Sequence, residues 1–245
     1  MLKNLRIITF LVSINAIADY QITVLATNIS NYGGFGEWSF SALYESEKES
    51  ILFDTGFHED TVLHNATILG KDLSRVNKVV LSHFHSDHTG GLIKLRKTYK
   101  ELNENAFSEV YVARGFFDQR FYKDGSKEGP GNFKDSSRFR RVAEEEGIKF
   151  IILDEHKMIS ENLYATGTVE RTVESYNGPL GYYLDDQLTI PDLIKDDQSV
   201  GMLTDKGWIM MSGCGHSGII NTAKKLQSIK DCLLYTSDAA DDLLC

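Results

Sequence analysis

Cysteine is scarce in this chain: three stand among 245 residues, at positions 214, 232 and 245, and no two form a CxxC pair. That spacing excludes a zinc ribbon and a disulfide framework. There is no long basic run, and the net charge is −9. An acidic chain without a basic stripe is a poor partner for phosphate backbones, so no nucleic-acid partner is expected. The apolar run over residues 7–17 is too short for a confident bilayer span, so no stable membrane span is expected. Internal repeats and low-complexity linkers are absent as well. What is present suits one α/β domain: 245 residues, of which 42% are hydrophobic, enough for a real core.

Both ends are set aside before the fold is read. Residues 1–18 place Lys3 and Arg6 ahead of the apolar run and close on Ala16-Ile17-Ala18. This is the layout of a secretory signal peptide, which implies a periplasmic or secreted protein, a cytoplasmic one being the alternative. A first strand or a buried helix is the competing reading, kept open by Ser13 and Asn15 inside the run. At the other end, residues 232–242 resemble the translation of a transposase-type sequencing adapter. Residues 232–245 are therefore excluded from fold reasoning. Cys232 and Cys245 then carry no functional weight, and the domain is expected over residues 19–231, with a natural C-terminus beyond Asp231.

Between these limits, apolar alternation predicts a strand over 21–27 and a strand pair over 38–44 and 50–53. Further strands are predicted over 78–82, 110–113, 150–153, 163–166 and 181–184, and a hairpin over 199–204 and 208–211 around Asp205-Lys206-Gly207. Helical spacing predicts helices over 60–69, 92–102, 136–146 and 217–229. Residues 116–135, rich in glycine, aromatics and charge, read as a loop or lid. Its Phe116, Phe117, Phe121, Tyr122 and Phe133 suit either the wall of an apolar pocket or the core. Strands alternating with helices fit two mixed sheets covered by helices on the outside.

The chemistry concentrates in His83-Phe84-His85-Ser86-Asp87-His88. Imidazole nitrogen and carboxylate oxygen are ligands for a zinc-like divalent ion. In a tight loop after a strand, His83 and His85 can grip one ion while Asp87 and His88 turn towards a second. Gly90 and Gly91 let the backbone pass close to such a site. The blander reading, a cluster of surface histidines, fits poorly with four ligand-type residues in six between an apolar strand and a Gly-Gly helix start. His58, His64 and His156 read as solvated residues.

The HxHxDH pattern resembles the metallo-β-lactamase superfamily over roughly residues 21–231. The resemblance implies an α/β (α+β) fold, an αβ/βα sandwich of two mixed sheets flanked by helices, C-terminally truncated here. It implies two divalent ions, most readily zinc, with manganese or iron as alternatives, and a metal-bound hydroxide acting on a small-molecule substrate. Asp87 and His88 are the expected catalytic residues. Asp54, in Leu52-Phe53-Asp54-Thr55-Gly56, is expected to lie beneath the site and hold a ligand histidine by hydrogen bond. The segment Gly213-Cys214-Gly215-His216-Ser217-Gly218-Ile219-Ile220-Asn221 resembles a subgroup related to archaeal dihydropterin ribofuranosylaminobenzene phosphate synthases. His216 is the expected further imidazole ligand. Cys214 is either a thiolate ligand or a small residue in a tight turn.

Asp196-Asp197-Gln198-Ser199, Phe40-Ser41-Ala42-Leu43 and Gly167-Thr168-Val169-Glu170-Arg171 resemble the same subgroup. Arg171 suits an anionic substrate group or, equally, an ion pair with Glu170 or Glu174. Superfamily members supply one more histidine near the C-terminus, and none follows His216, which leaves the second ion short of a ligand. The implied function is a metal-dependent hydrolase of an ester, lactone, phosphodiester or related bond. Three alternatives stand beside it: a phosphoribosyl-type synthase like the archaeal enzymes, a di-iron redox protein, and an inactive truncated remnant.

Overall fold

The computed structural model describes residues 20–30, 32–176 and 178–231. The expected leader over 1–18 and the adapter-like tail over 232–245 lie outside the described residues.

Six strands form the first sheet: β1 Gln21–Ala26, β2 Ser41–Glu45, β3 Ser50–Phe53, β4 Val76–Val80, β5 Glu109–Ala113 and β8 Lys149–Leu153, in the order β1-β2-β3-β4-β5-β8. β1, β2 and β3 pair antiparallel, while β3, β4, β5 and β8 run parallel, so the sheet is mixed. The parallel connections carry α1 Thr61–Ile68, α3 Leu92–Tyr99 and α4 Ser136–Glu145. Parallel strands need crossovers of this kind because their ends lie at opposite edges of the sheet. The second sheet is an antiparallel set of four: β9 Lys157–Ser160, β10 Leu163–Ala165, β12 Ser199–Thr204 and β13 Gly207–Ser212, in the order β13-β12-β10-β9.

The side-chain period of two explains why the central strands are apolar throughout. Leu43, Leu52 and Val79 point to one face, where they join Val62, Leu92, Leu95 and Phe139 from the helices. Ala42, Tyr44, Ile51, Phe53 and Val80 point to the other and meet Leu163, Ala165, Val200 and Met202 of the second sheet. α5 Ile219–Ile229 covers the outside of that second sheet: Leu226 is buried beside Trp208, whose Nε1 donates to Lys230 O at 3.1 Å. Helix, sheet, sheet, helix is the layer order, the αβ/βα sandwich that the motifs implied.

Residues 116–135 are not the plain loop expected from composition. They contain β6 Arg120–Tyr122 and β7 Lys127–Glu128, which form a small third sheet with β11 Tyr182–Tyr183 in the order β11-β6-β7. Strands this short carry too few residues for alternation to show. Phe116 is buried, and Phe117 and Phe133 pack against the helix-side core. Strand β9 has no signature in the sequence, since Lys157–Ser160 has one buried apolar side chain, Ile159.

Candidate metal centre

Three chain segments converge where the edges of the two sheets meet. The first follows β4. Leu81 and Ser82 lead into His83–His88, where the short helix α2 Ser86–Thr89 carries Asp87 and His88, and the His88 ring lies 4.4 Å from that of His83. The second follows β3. Asp54 adopts a left-handed backbone, φ 58°, a conformation that Asp and Asn tolerate better than most residues. That turn drives its carboxylate under the histidine loop. Backbone bonds lock the two segments together: Thr55 N donates to His88 O at 2.8 Å and Gly90 N to Gly56 O at 2.9 Å. The close approach requires glycine, since a Cβ on Gly90 would stand 1.9 Å from Phe57 O. The third segment follows β13, and Gly213 lets it approach: a Cβ there would lie 2.4 Å from Ser82 Oγ.

These segments bring the sequence-predicted residues into two overlapping groups. Ligand-type atoms of His83, His85, Cys214 and His216 all lie within 4.8 Å of one another, and so do those of Asp87, His88 and Cys214. The thiol of Cys214 belongs to both. His88 Nε2 stands 3.2 Å from Cys214 Sγ and 3.3 Å from Asp87 Oδ2. On its far side, His88 Nδ1 donates to Asp54 Oδ2 at 2.7 Å, and the other Asp54 oxygen accepts from Ser82 N at 2.6 Å. His58, His64 and His156 lie outside both groups; His64 stacks on Phe35 at 3.8 Å and bonds Gly33 O.

Burial sets the protonation of the first group. It pushes His85 down to about 3 and His216 to about 4, and neighbouring imidazoles push the same way. His83 is likewise held well below the ordinary histidine range by burial and by the charge on His88. All three are thus neutral imidazoles, the form that binds metal. His88 goes the other way: burial opposes its protonation, but the Asp54 carboxylate overrides it and raises the pKa well above normal. Burial would raise Asp87 too, yet its contact with His88 wins and holds it ionised.

The donor set fits a divalent ion. The Nε2 atoms of His85 and His216 are both enclosed and take no hydrogen bond. Enclosed polar atoms without partners are costly, and two imidazole nitrogens left so in one cluster are ready acceptors for a cation. Imidazoles with a thiol and a carboxylate are the mixture that borderline-soft ions such as zinc favour.

Residues that the sequence linked only by resemblance prove to be the scaffolding. Asp196 Oδ2 accepts from Phe84 N at 2.9 Å, in the middle of the histidine loop. Asp197 Oδ2 accepts from Ser217 N at 2.7 Å, next to His216. Gln198 N donates to Ser82 O at 2.8 Å. One run of three residues therefore ties the β4 loop to the β13 loop. Arg120, fully buried, pairs with Asp196 at 2.8 Å and Asp192 at 3.0 Å and lies 3.9 Å over the Phe84 ring. Among the described residues Arg171 forms no ion pair with Glu170 or Glu174, and it is not in the lining of the cavity over the cluster. Its guanidinium donates to the carbonyls of His216, Leu193 and Ile194. Asn221 accepts from the backbone N–H groups of 172–174 and so holds that segment against α5.

A cavity of about 530 Å³ opens over the cluster, reaching His85, Asp87, Cys214 and His216. Its apolar side comes from Trp38, Phe57, Pro179 and Tyr182. None of the five aromatics picked out between 116 and 133 lines it. Glu128, from β7, does. Nothing in the sequence around Glu128 distinguishes it from the other acidic residues of that charged stretch.

A two-sheet sandwich with histidines and a carboxylate gathered at the meeting edges of its sheets defines a class of metal-site proteins. The metallo-beta-lactamase superfamily model matches residues 39–225, and the chain belongs to that superfamily. A 7,8-dihydropterin-6-methyl-4-(beta-D-ribofuranosyl)-aminobenzene-5'-phosphate synthase of Methanocaldococcus jannaschii is 25% identical, over 88% of this chain and 74% of its own. An uncharacterized protein of the same archaeon is 29% identical, over 87% and 77%. Among solved structures, a metal-dependent hydrolase of the beta-lactamase superfamily superposes with a TM-score of 0.65 at 27% identity, covering 88% of this chain and 72% of that one.

Proposed function

We propose that the chain is a metal-dependent hydrolase acting on an ester, lactone, phosphodiester or related bond of a small molecule. In this reading His83, His85 and His216 hold one ion, Asp87 and His88 hold a second, and Cys214 serves both. The observation that carries it is the pair of ligand groups sharing the Cys214 thiol beside a cavity of substrate size. Divalent ions held there would lower the pKa of water to ~7 and polarise the oxygen under attack.

The chain's own residues do the rest. Asp87, ionised and lining the cavity, accepts a hydrogen bond from the attacking water and orients it towards the scissile group. Asp54 holds the proton on His88 Nδ1, which leaves Nε2 facing Asp87 and Cys214. Trp38, Phe57 and Tyr182 exclude water from one side of the substrate.

Metal analysis of the purified chain, followed by a panel of esters, lactones and phosphodiesters, tests the reading. Zinc near two per chain with turnover of a panel member supports it. Two irons with oxygen consumption would overturn it. The likeness to an archaeal synthase favours a second reading, condensation at a phosphoribosyl substrate, which would show as product formation with that class and no hydrolysis of the panel.

A further inference from the structure

Glu128 takes no part in either ligand group, yet it shares the cavity with His85, Asp87 and His216. Its carboxylate is only partly compensated. The Tyr122 and Tyr182 hydroxyls and the charge of Arg120 act to keep it ionised, but burial outweighs them, and the nearby Asp87 charge adds to the cost of holding a second negative group there. Oε2 is enclosed and takes no hydrogen bond. No lysine or arginine forms an ion pair with Glu128 among the described residues. A half-buried carboxylate with one oxygen unpartnered is destabilising for the fold, and such groups persist where a ligand completes them. The remaining walls offer little else that is polar away from the ligand cluster: Trp38, Phe57 and Pro179 supply hydrophobic surface.

We infer that Glu128, steadied by Tyr122 and Tyr182, is the specificity-determining acceptor of this cavity, and that it selects substrates carrying an N–H or O–H donor beside an apolar or aromatic group. This rests on the metallohydrolase reading and names the substrate class for it. The substrate lays its flat apolar part along Trp38 and Phe57, presents its scissile bond to the ligand cluster and donates one hydrogen bond to Glu128. A substrate of equal size without the donor would leave the carboxylate oxygen as unpaired as it is in the free protein and would forgo the stabilisation that a donor brings.

The test uses probes that bind metal without being turned over. Benzohydroxamic acids bearing a hydroxyl or amino group at each ring position are compared with their methoxy and dimethylamino counterparts, by calorimetry on the zinc-loaded full chain. We expect at least one donor-bearing isomer to bind about tenfold more tightly than its capped counterpart. E128A should abolish that preference while keeping the zinc content of the wild type. E128Q, which keeps the shape but adds a donor, should bring the capped acceptor-only isomer level with or ahead of its partner. Preference that survives in E128A, or no preference at any ring position in the wild type, overturns the inference and leaves the hydrolase reading standing. Failure of every hydroxamate to bind the zinc-loaded chain overturns both.

Discussion

The carboxylate of Asp54 bridges two segments of the site, accepting from His88 Nδ1 at 2.7 Å through one oxygen and from Ser82 N at 2.6 Å through the other. It is fully buried, and its left-handed backbone aims it upward from the end of β3. D54N keeps the backbone tolerance and the bond from Ser82 but puts an amide N–H against His88 Nδ1–H. The imidazole must then change tautomer or orientation. Zinc affinity measured by competition with a chelating indicator should fall about 10- to 100-fold. Unchanged affinity in a folded D54N would show that Asp54 does not support the metal.

Cys214 is exposed enough to react and close enough to both ligand groups to serve either. A thiolate on cobalt produces intense near-ultraviolet charge-transfer absorption that imidazole and carboxylate do not. The cobalt-substituted wild type should show this band, and C214S should lose it and hold less metal. An identical band in C214S would mean that the cysteine is only a turn residue.

Arg120 binds through chemistry rather than volume. R120M fills similar space but strands Asp192 and Asp196 in a buried, uncompensated state and removes the cation over Phe84. Chemical denaturation should show a loss of about 3–5 kcal/mol. Asp196 also anchors Phe84 N, so weaker zinc binding should accompany the loss. A variant as stable as the wild type would contradict the assignment.

Asp197 predicts a pH dependence. Burial raises its pKa from 3.8 to about 6, against the hydrogen bonds from Ser217 that lower it. The folded chain therefore binds this proton more tightly than the unfolded chain does. The stability it confers is complete below about pH 4 and is lost as the pH rises through about 6. D197N cannot titrate and can still accept from Ser217 N. For the metal-free chain, the unfolding free energy of D197N minus that of the wild type should grow on the order of 2 kcal/mol between about pH 4 and pH 7. A difference that stays flat over that range would refute it.

Much of this was legible in advance because it is local. Strands β3 and β4 announce themselves as short apolar runs, and each ends in chemistry, Asp54-Thr55-Gly56 and His83 to His88. The periodic helices α3 and α4 fall within a few residues of their expected limits. The segment 116–135 failed as a loop because its strands are stabilised by β11, some sixty residues on, and not by any alternation of their own. Asp196, Asp197 and Gln198 were visible only as a resemblance, since their partners Phe84, Ser217 and Ser82 stand far away in the chain.

The sequence by itself determined the family, the plan of two sheets flanked by helices and the identity of the ligand-type residues, because those depend on spacing within one strand and its loop. Tertiary structure alone decided which ligand-type residues share a group, that the Cys214 thiol belongs to both groups, and that Glu128 lines the cavity. Those relations depend on distances between the ends of β3, β4, β7 and β13, which only the packing of one sheet against another can set.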